Sequence, residues 1–200
     1  MKKYCLSIMV LMFAITAIAQ ERKYDVKSGI MKTVTSVMGQ NVDAVLYFDD
    51  YGNLESSQTK TFSGGEQIEI STISKNGTMY IVNHFYKQIQ ELPIQESINY
   101  LNLTPEIIEK YNIQELGHEI VLDKNCTKYS SEISQLGQKS SGIVWVWQGI
   151  PLKSITSSNG MEIKVEAIEI QCKVDIDQKV FEIPSFKKMI DKSIYDHKLQ

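Results

Sequence analysis

The chain has 200 residues, with 21 Lys and Arg against 24 Asp and Glu and a formal net charge of −3. That mild acidity argues against a nucleic-acid partner, because phosphate binding needs clustered basic charge. Arg22 is the one arginine in the sequence, which leaves no arginine clamp for an anion within the folded chain.

Residues 1–19 read as a cleavable signal peptide. Lys2 and Lys3 precede an apolar run from Cys5 to Ile18, and Ala17-Ile18-Ala19 supplies the small-x-small end before Gln20. The run falls short of the about 20 apolar residues that a spanning helix needs. Cys5 stands at the start of the run, not at the cleavage point, so the mature protein is expected to be neither membrane-spanning nor acylated. Removing residues 1–19 takes away Lys2 and Lys3 and no acid, leaving 19 basic and 24 acidic residues, a charge of −5. Residues 20–200 suit one domain, long enough to bury a real core. Cys126 and Cys172 remain in an oxidising compartment, where a disulfide and two buried free thiols are both open readings.

Strand-like alternation dominates the remainder of the chain. Val42, Ala44, Leu46 and Phe48 alternate with Asn41, Asp43, Val45 and Tyr47 up to the turn cluster Asp49-Asp50-Tyr51-Gly52-Asn53. Leu54–Phe62, rich in Ser and Thr, reads as an exposed strand. Gln67–Ser74 alternates through Ile68 and Ile70, Asn76-Gly77 marks a hairpin, and Met79–Val82 starts the next strand. Residues 24–82 thus predict a meander of four or five strands. Residues 87–113 predict an irregular, partly helical insertion, with Asn102 or Thr104 as cap and Pro105 in the first turn.

A second set of strands begins near Glu115. Ile120, Leu122, Cys126 and Tyr129 fall in two strands joined around Asp123-Lys124-Asn125. Gly142–Gln148 puts Trp145 and Trp147 on one face and Val144 and Val146 on the other, so the strand is expected to be covered on both sides. Met161, Ile163 and Val165 share one parity; Ile168, Ile170, Cys172, Val174 and Ile176 share the other. A slip at Ala167-Ile168 predicts a bulge in one long strand. Val180–Pro184 is expected to close the sheet. Ser185–Lys198 reads as an amphipathic helix through Phe186, Met189, Ile190 and Ile194.

No catalytic constellation is legible. His84, His118 and His197 have no metal-type spacing, the cysteines form no CxxC, and no nucleophile-elbow, phosphate-loop or zinc-helix motif occurs. The reading is therefore of a protein that is not an enzyme, with no cofactor and no metal.

The second half resembles the lipoprotein-carrier-like, LolA/LppX-type superfamily of bacterial envelope proteins. The likeness runs in order through Glu115-Leu116-Gly117-His118-Glu119, Cys126-Thr127-Lys128-Tyr129, Trp145-Val146-Trp147-Gln148-Gly149-Ile150-Pro151-Leu152, Glu166-Ala167-Ile168 and Phe181-Glu182-Ile183-Pro184. It covers residues 115–185 by motif and residues 24–83 by strand pattern alone. The resemblance implies an α+β, mainly antiparallel fold: a strongly curved, incomplete β-barrel with helices over its concave face. It also implies an apolar cavity between them, which the better-known members use for acyl chains. Leu46, Phe48, Ile70, Trp145, Trp147, Ile163 and Val165 are the candidate inward, ligand-binding residues. The family's functional arginine has no counterpart, because Arg22 precedes the first strand. The function expected is a periplasmic or secreted binding module for a lipid-like ligand. The alternative is a non-enzymatic cell-envelope interaction or scaffold protein with a filled core, contacting an envelope protein through its edge strands or Leu54–Phe62.

Overall fold

Alternating side chains and tight turns build a meander from its first strand onward. β1 (Gly29–Val37) and β2 (Gln40–Asp49) are joined by Met38-Gly39, both at positive φ (50° and 77°). Two residues in that conformation make the hairpin turn whose twist matches its strands. The computed structural model describes residues 21–63, 65–94, 97–135 and 138–189; the signal segment expected at 1–19 lies outside them.

β3 (Leu54–Ser63), β4 (Glu66–Lys75), β5 (Thr78–Asn83) and β6 (Gln88–Pro93) continue the meander. Asn76-Gly77, at φ 52° and 75°, is the expected hairpin turn between β4 and β5. The described residues hold one α-helix, α1 (Pro105–Lys110), which starts as expected: Thr104 Oγ1 accepts from Ile107 N at 3.4 Å, and Pro105 occupies the first turn. α1 buries none of its side chains. β7 (Gln114–Val121), β8 (Lys124–Gln135), β9 (Gln138–Trp147), β10 (Ile150–Ser158) and β11 (Met161–Cys172) form the second set, and β12 (Lys187–Met189) follows.

All twelve strands lie in one sheet, in the order β12-β6-β5-β4-β3-β2-β1-β11-β10-β9-β8-β7. The β1–β11 ladder joins the two sets. Among the described residues only the β12–β6 pair is parallel. The end strands β12 and β7 do not meet, so the sheet is open and not closed into a barrel. The slip expected at Ala167-Ile168 is present: Lys32 faces Glu169 and Thr33 faces Ala167, so Ile168 has no partner and stands 56% exposed.

Several expectations need correction. β6 lies inside the stretch read as irregular, because the glutamines and Glu91 around Ile89 and Leu92 mask its alternation. Val180–Pro184 is not a strand. Gln178–Phe181 is a 3-10 turn capped by Asp177, whose carboxylate accepts from Lys179 N at 3.0 Å, and Pro184 has no amide to extend a ladder. Within the stretch read as a terminal helix, Lys187–Met189 instead pairs with β6, whose free edge offers backbone partners that a surface helix lacks. Residues 190–200 lie outside the described residues. Leu54–Phe62 is a strand as expected, yet Ser56 within it is fully buried.

Two clusters hold the sheet. In the larger, Tyr24, Val26, Met31, Phe48, Trp145, Ile150, Leu152 and Ala167 pack together, with Tyr24 edge-on to Phe48 at 5.1 Å between ring centres. In the smaller, Ile183 and Phe186 lie on Ile73, Val82 and Ile89, and Lys75 Nζ donates to Phe181 O at 3.1 Å. Phe48 fits its site only because its ladder partner is a glycine: a Cβ on Gly29 would lie 2.5 Å from the Phe48 ring. Gly29→Ala is therefore expected to overpack the larger cluster and cost about 1–3 kcal/mol. Urea unfolding checks this, as a lower midpoint with an unchanged slope.

Candidate functional site

Directly paired residues on neighbouring antiparallel strands point to the same side of a sheet, and successive residues along a strand to opposite sides. The ladder registers therefore give every paired strand residue a face. One face carries Lys32, Asp43, Lys60, Glu69, Lys128, Lys153, Lys164, Glu166 and Glu169. Cross-strand ion pairs lie along it: Lys32–Glu169 at 2.6 Å, Lys128–Glu119 at 3.7 Å, and Lys60–Glu69 and Lys153–Glu166 at 3.9 Å.

The opposite face is nearly free of charge. From β5 to β8 its rows are Met79 and Ile81; Ile68, Ile70 and Thr72; Ser57 and Thr59; Val42, Ala44 and Leu46; Thr33, Thr35 and Val37; Ile163 and Val165; Ser154 and Thr156; Val144; Tyr129. Among the described strand residues its acids are Glu66 at the start of β4, Glu115 on the edge strand β7, and Glu55. Glu55 is taken up by Lys23 Nζ at 2.6 Å and by the Tyr24 hydroxyl. Burial, then the Glu55 charge, raises the Tyr24 hydroxyl well above its ordinary pKa.

This uncharged face is covered unevenly. Met31, Phe48, Val144, Val146 and Ala167 are buried, whereas Val42, Leu46, Ile68, Ile70, Ile81 and Val165 are half-buried and Ile163 is 37% exposed. The cover at one end is the arm before β1 and the segment before α1: Tyr24 meets Phe48, and Tyr100 stacks on Tyr129 at 5.5 Å. Between these pieces lies a cavity of about 410 Å³ lined by Lys23, Tyr24, Ile98, Tyr100, Tyr111 and Pro151. Burial beside Tyr129 pushes the Tyr100 hydroxyl up to about 12.

The seven residues expected to share an inward face do not all do so. Leu46, Phe48, Ile70, Ile163 and Val165 share the uncharged face. Trp145 and Trp147 lie on the charged face, because Trp145 pairs with Lys153 and Lys128 while Val144 and Val146 take the uncharged side. Trp145 is 4% exposed, roofed by the ammonium groups of Lys128 and Lys153 at 4.7 and 4.8 Å from its ring centre. Lys124 lies 5.0 Å from the Trp147 ring centre. None of the seven lines the 410 Å³ cavity. The segment 97–101 that does line it has no alternation to reveal it; Tyr100 alone, an aromatic beside a capped helix start, was a signal. Cys126 and Cys172 are free thiols, both raised in pKa by burial. Among the described residues no His, Cys, Asp and Glu gather in a metal-holding group, and no helix is long and apolar enough to cross a membrane.

No family profile and no curated protein sequence matches the chain. Solved structures do match. An uncharacterized conserved protein from Thermus thermophilus is 9% identical, with 82% of this chain and 91% of that chain covered and a TM-score of 0.56. A chain of the Pseudomonas aeruginosa MucA/MucB complex is 12% identical, with 79% and 56% covered and a TM-score of 0.51, so this protein spans little more than half of that one. The Mycobacterium tuberculosis lipoprotein LppX is 13% identical, with 74% and 89% covered and a TM-score of 0.42. At these identities the likeness to the Thermus and MucA/MucB structures is one of fold alone.

Trp145 Nε1 donates to Glu119 Oε2 at 2.9 Å, and this bond, ahead of the Lys128 charge, holds the Glu119 carboxyl below its usual range. Because folding lowers that pKa, its contribution to stability is complete above the ordinary Glu range and is lost as pH falls through the lowered value. Trp145→Phe keeps a ring but removes the donor. An NMR titration of Glu119 is expected to show its pKa rising toward the ordinary value in that variant.

Proposed function

We propose that this protein is an exported binding module for a lipid-like, apolar ligand lying against the uncharged face. The observation that carries the reading is the segregation of charge. Nearly every Lys, Asp and Glu of the described strands falls on one side; on the other Val42, Leu46, Ile68, Ile70, Ile81 and Val165 are only half-buried and have almost no charge among them. An acyl chain suits such a surface, since it needs apolar contact and no ion pair. Among the described residues the several helices that the resemblance implies over a concave face are not found: α1 is one short helix with no buried side chain. The 410 Å³ cavity between Tyr24 and the segment before α1 suits one end of the ligand.

The same residues give the test. Val165 and Glu166 are neighbours on opposite faces. Val165→Glu puts an unpaired carboxylate under the ligand, a cost of about 2 kcal/mol or more, and is expected to weaken uptake of a fluorescent fatty-acid analogue at least about tenfold. Glu166→Gln is expected to leave it unchanged. Equal uptake by both variants would overturn the reading.

A second reading is an envelope protein that docks a polypeptide. It is favoured by the MucB-type neighbour, solved in complex with MucA, and by the outer edge of β7, which pairs with no strand among the described residues. Export with residues 1–19 removed, leaving residues 20–200 as one domain, belongs to the same proposal. Sequencing the N-terminus of protein taken from the exported fraction is expected to start at Gln20.

A further inference from the structure

In a meander the turns alternate between the two ends of the sheet, and here the two ends differ. At one end the turns are Asp50–Asn53, Asn76-Gly77, Leu122-Asp123 and Gln148-Gly149, built mainly of polar turn residues and glycine, with Ile120 (64%), Ile94 (43%) and Leu101 (41%) exposed beside them but with no apolar residue exposed as far as Met38 or Phe62. At the other end the turns follow β1, β3, β5 and β10. Those turns and the strand positions beside them expose Met38 (82%), Phe62 (75%), Tyr86 (59%), Phe85 (44%) and Met161 (44%). Phe85 and Tyr86 form an edge-on pair at the tip of the β5–β6 turn, with ring centres 4.9 Å apart.

Met38 is the most telling of these. It holds φ 50° in a turn where Asn-Gly is the favoured pair, as at Asn76-Gly77 and Asn159-Gly160. A methionine has no local hydrogen bond to offer there, so its place sacrifices turn preference to set an apolar side chain at the outermost point of a hairpin. The uncharged face begins at this same end. Val37 and Ile163, with Gln40 beside them, form its first row behind the tips, and Val42 and Ile68 stand one row further in. Along β11 an acyl chain leaving a bilayer at Met161 would meet Ile163, Val165 and Ala167 in turn.

We propose that this end of the sheet docks on a lipid bilayer surface, with Met38, Phe62, Tyr86 and Met161 inserted at the headgroup boundary. A fluid surface suits apolar groups that stand on separate hairpins, because it fills the gaps between them. The inference deepens the acyl-ligand reading, on which its purpose rests.

Protein from the exported fraction is floated with vesicles of phosphatidylethanolamine and phosphatidylglycerol. The native protein is expected to float with them, and to do so equally in high salt, since apolar contact and not charge makes the attachment. Met38→Asn with Phe62→Thr, both substitutions fitting their local backbone, is expected to weaken flotation about tenfold or more with unchanged circular dichroism. Ile120→Thr, at another exposed apolar residue on β7, is expected to float as the native protein does. Failure of the native protein to float, flotation of the tip variant at the native level, or an equal loss in Ile120→Thr would each overturn the proposal. So would a tip-dependent dimer that ignores vesicles, since the tips would then dock a second copy. Uptake of a soluble fatty-acid analogue, measured on the same proteins, separates the two ideas. Uptake without flotation removes the docking surface and keeps the ligand face. Flotation without uptake does the reverse.

Discussion

The register of the β1–β11 ladder is the constraint on which the rest of this molecule depends. An open sheet of twelve strands has two broad faces, and each residue's side is fixed by counting along a strand. In β11 that count is corrected once, at Ile168. Because one residue is left unpaired there, Ile163, Val165, Ile170 and Cys172 all fall on the side of Met31, Thr35 and Val37, while Glu162, Glu166 and Glu169 all fall on the other. Without the bulge, Glu169 and Gln171 would turn onto the uncharged side and lose Lys32 as a partner. Folding lowers the Glu169 pKa, first through its hydrogen bond from Lys32, and the bulge is what aligns the two.

That correction was legible in the sequence because it interrupts a strong alternation. So were the strands from β2 to β5, the Asn76-Gly77 turn, the Thr104 cap and the doubly covered strand around Val144–Val146, each set by residues close in the chain. What local pattern could not reveal was competition between distant backbones. Lys187–Met189 has an amphipathic spacing, yet it pairs with β6. Val180–Phe181 looks strand-like, but Asp177 caps a tight turn first. β6 itself was obscured by glutamines that give no hydrophobic period.

The candidate site was legible in part, for a related reason. Alternation shows which residues share a face but not which face is inward. Trp145 and Trp147 were correctly paired with each other and set apart from Val144 and Val146. Their direction is decided by Lys128 and Lys153 from neighbouring strands, whose stems make a buried place for an indole on the charged side. The aliphatic residues Ile70, Ile163 and Val165 needed no such help, since their strand neighbours are charged or polar.

The outer margins of the sheet are unequal. β6 is bordered by β12, three residues long and running parallel to it. Among the described residues β7 has no strand on its far side, and its ladder to β8 is broken between Glu115 and His118, with Gly117 at φ 98°. A growing stack of chains needs a straight row of free amides and carbonyls. One margin is occupied by the protein's own tail, and the other is bent in its middle. A molecule that exposes this much aliphatic surface on one side thus gives further copies little straight rim along which to polymerise.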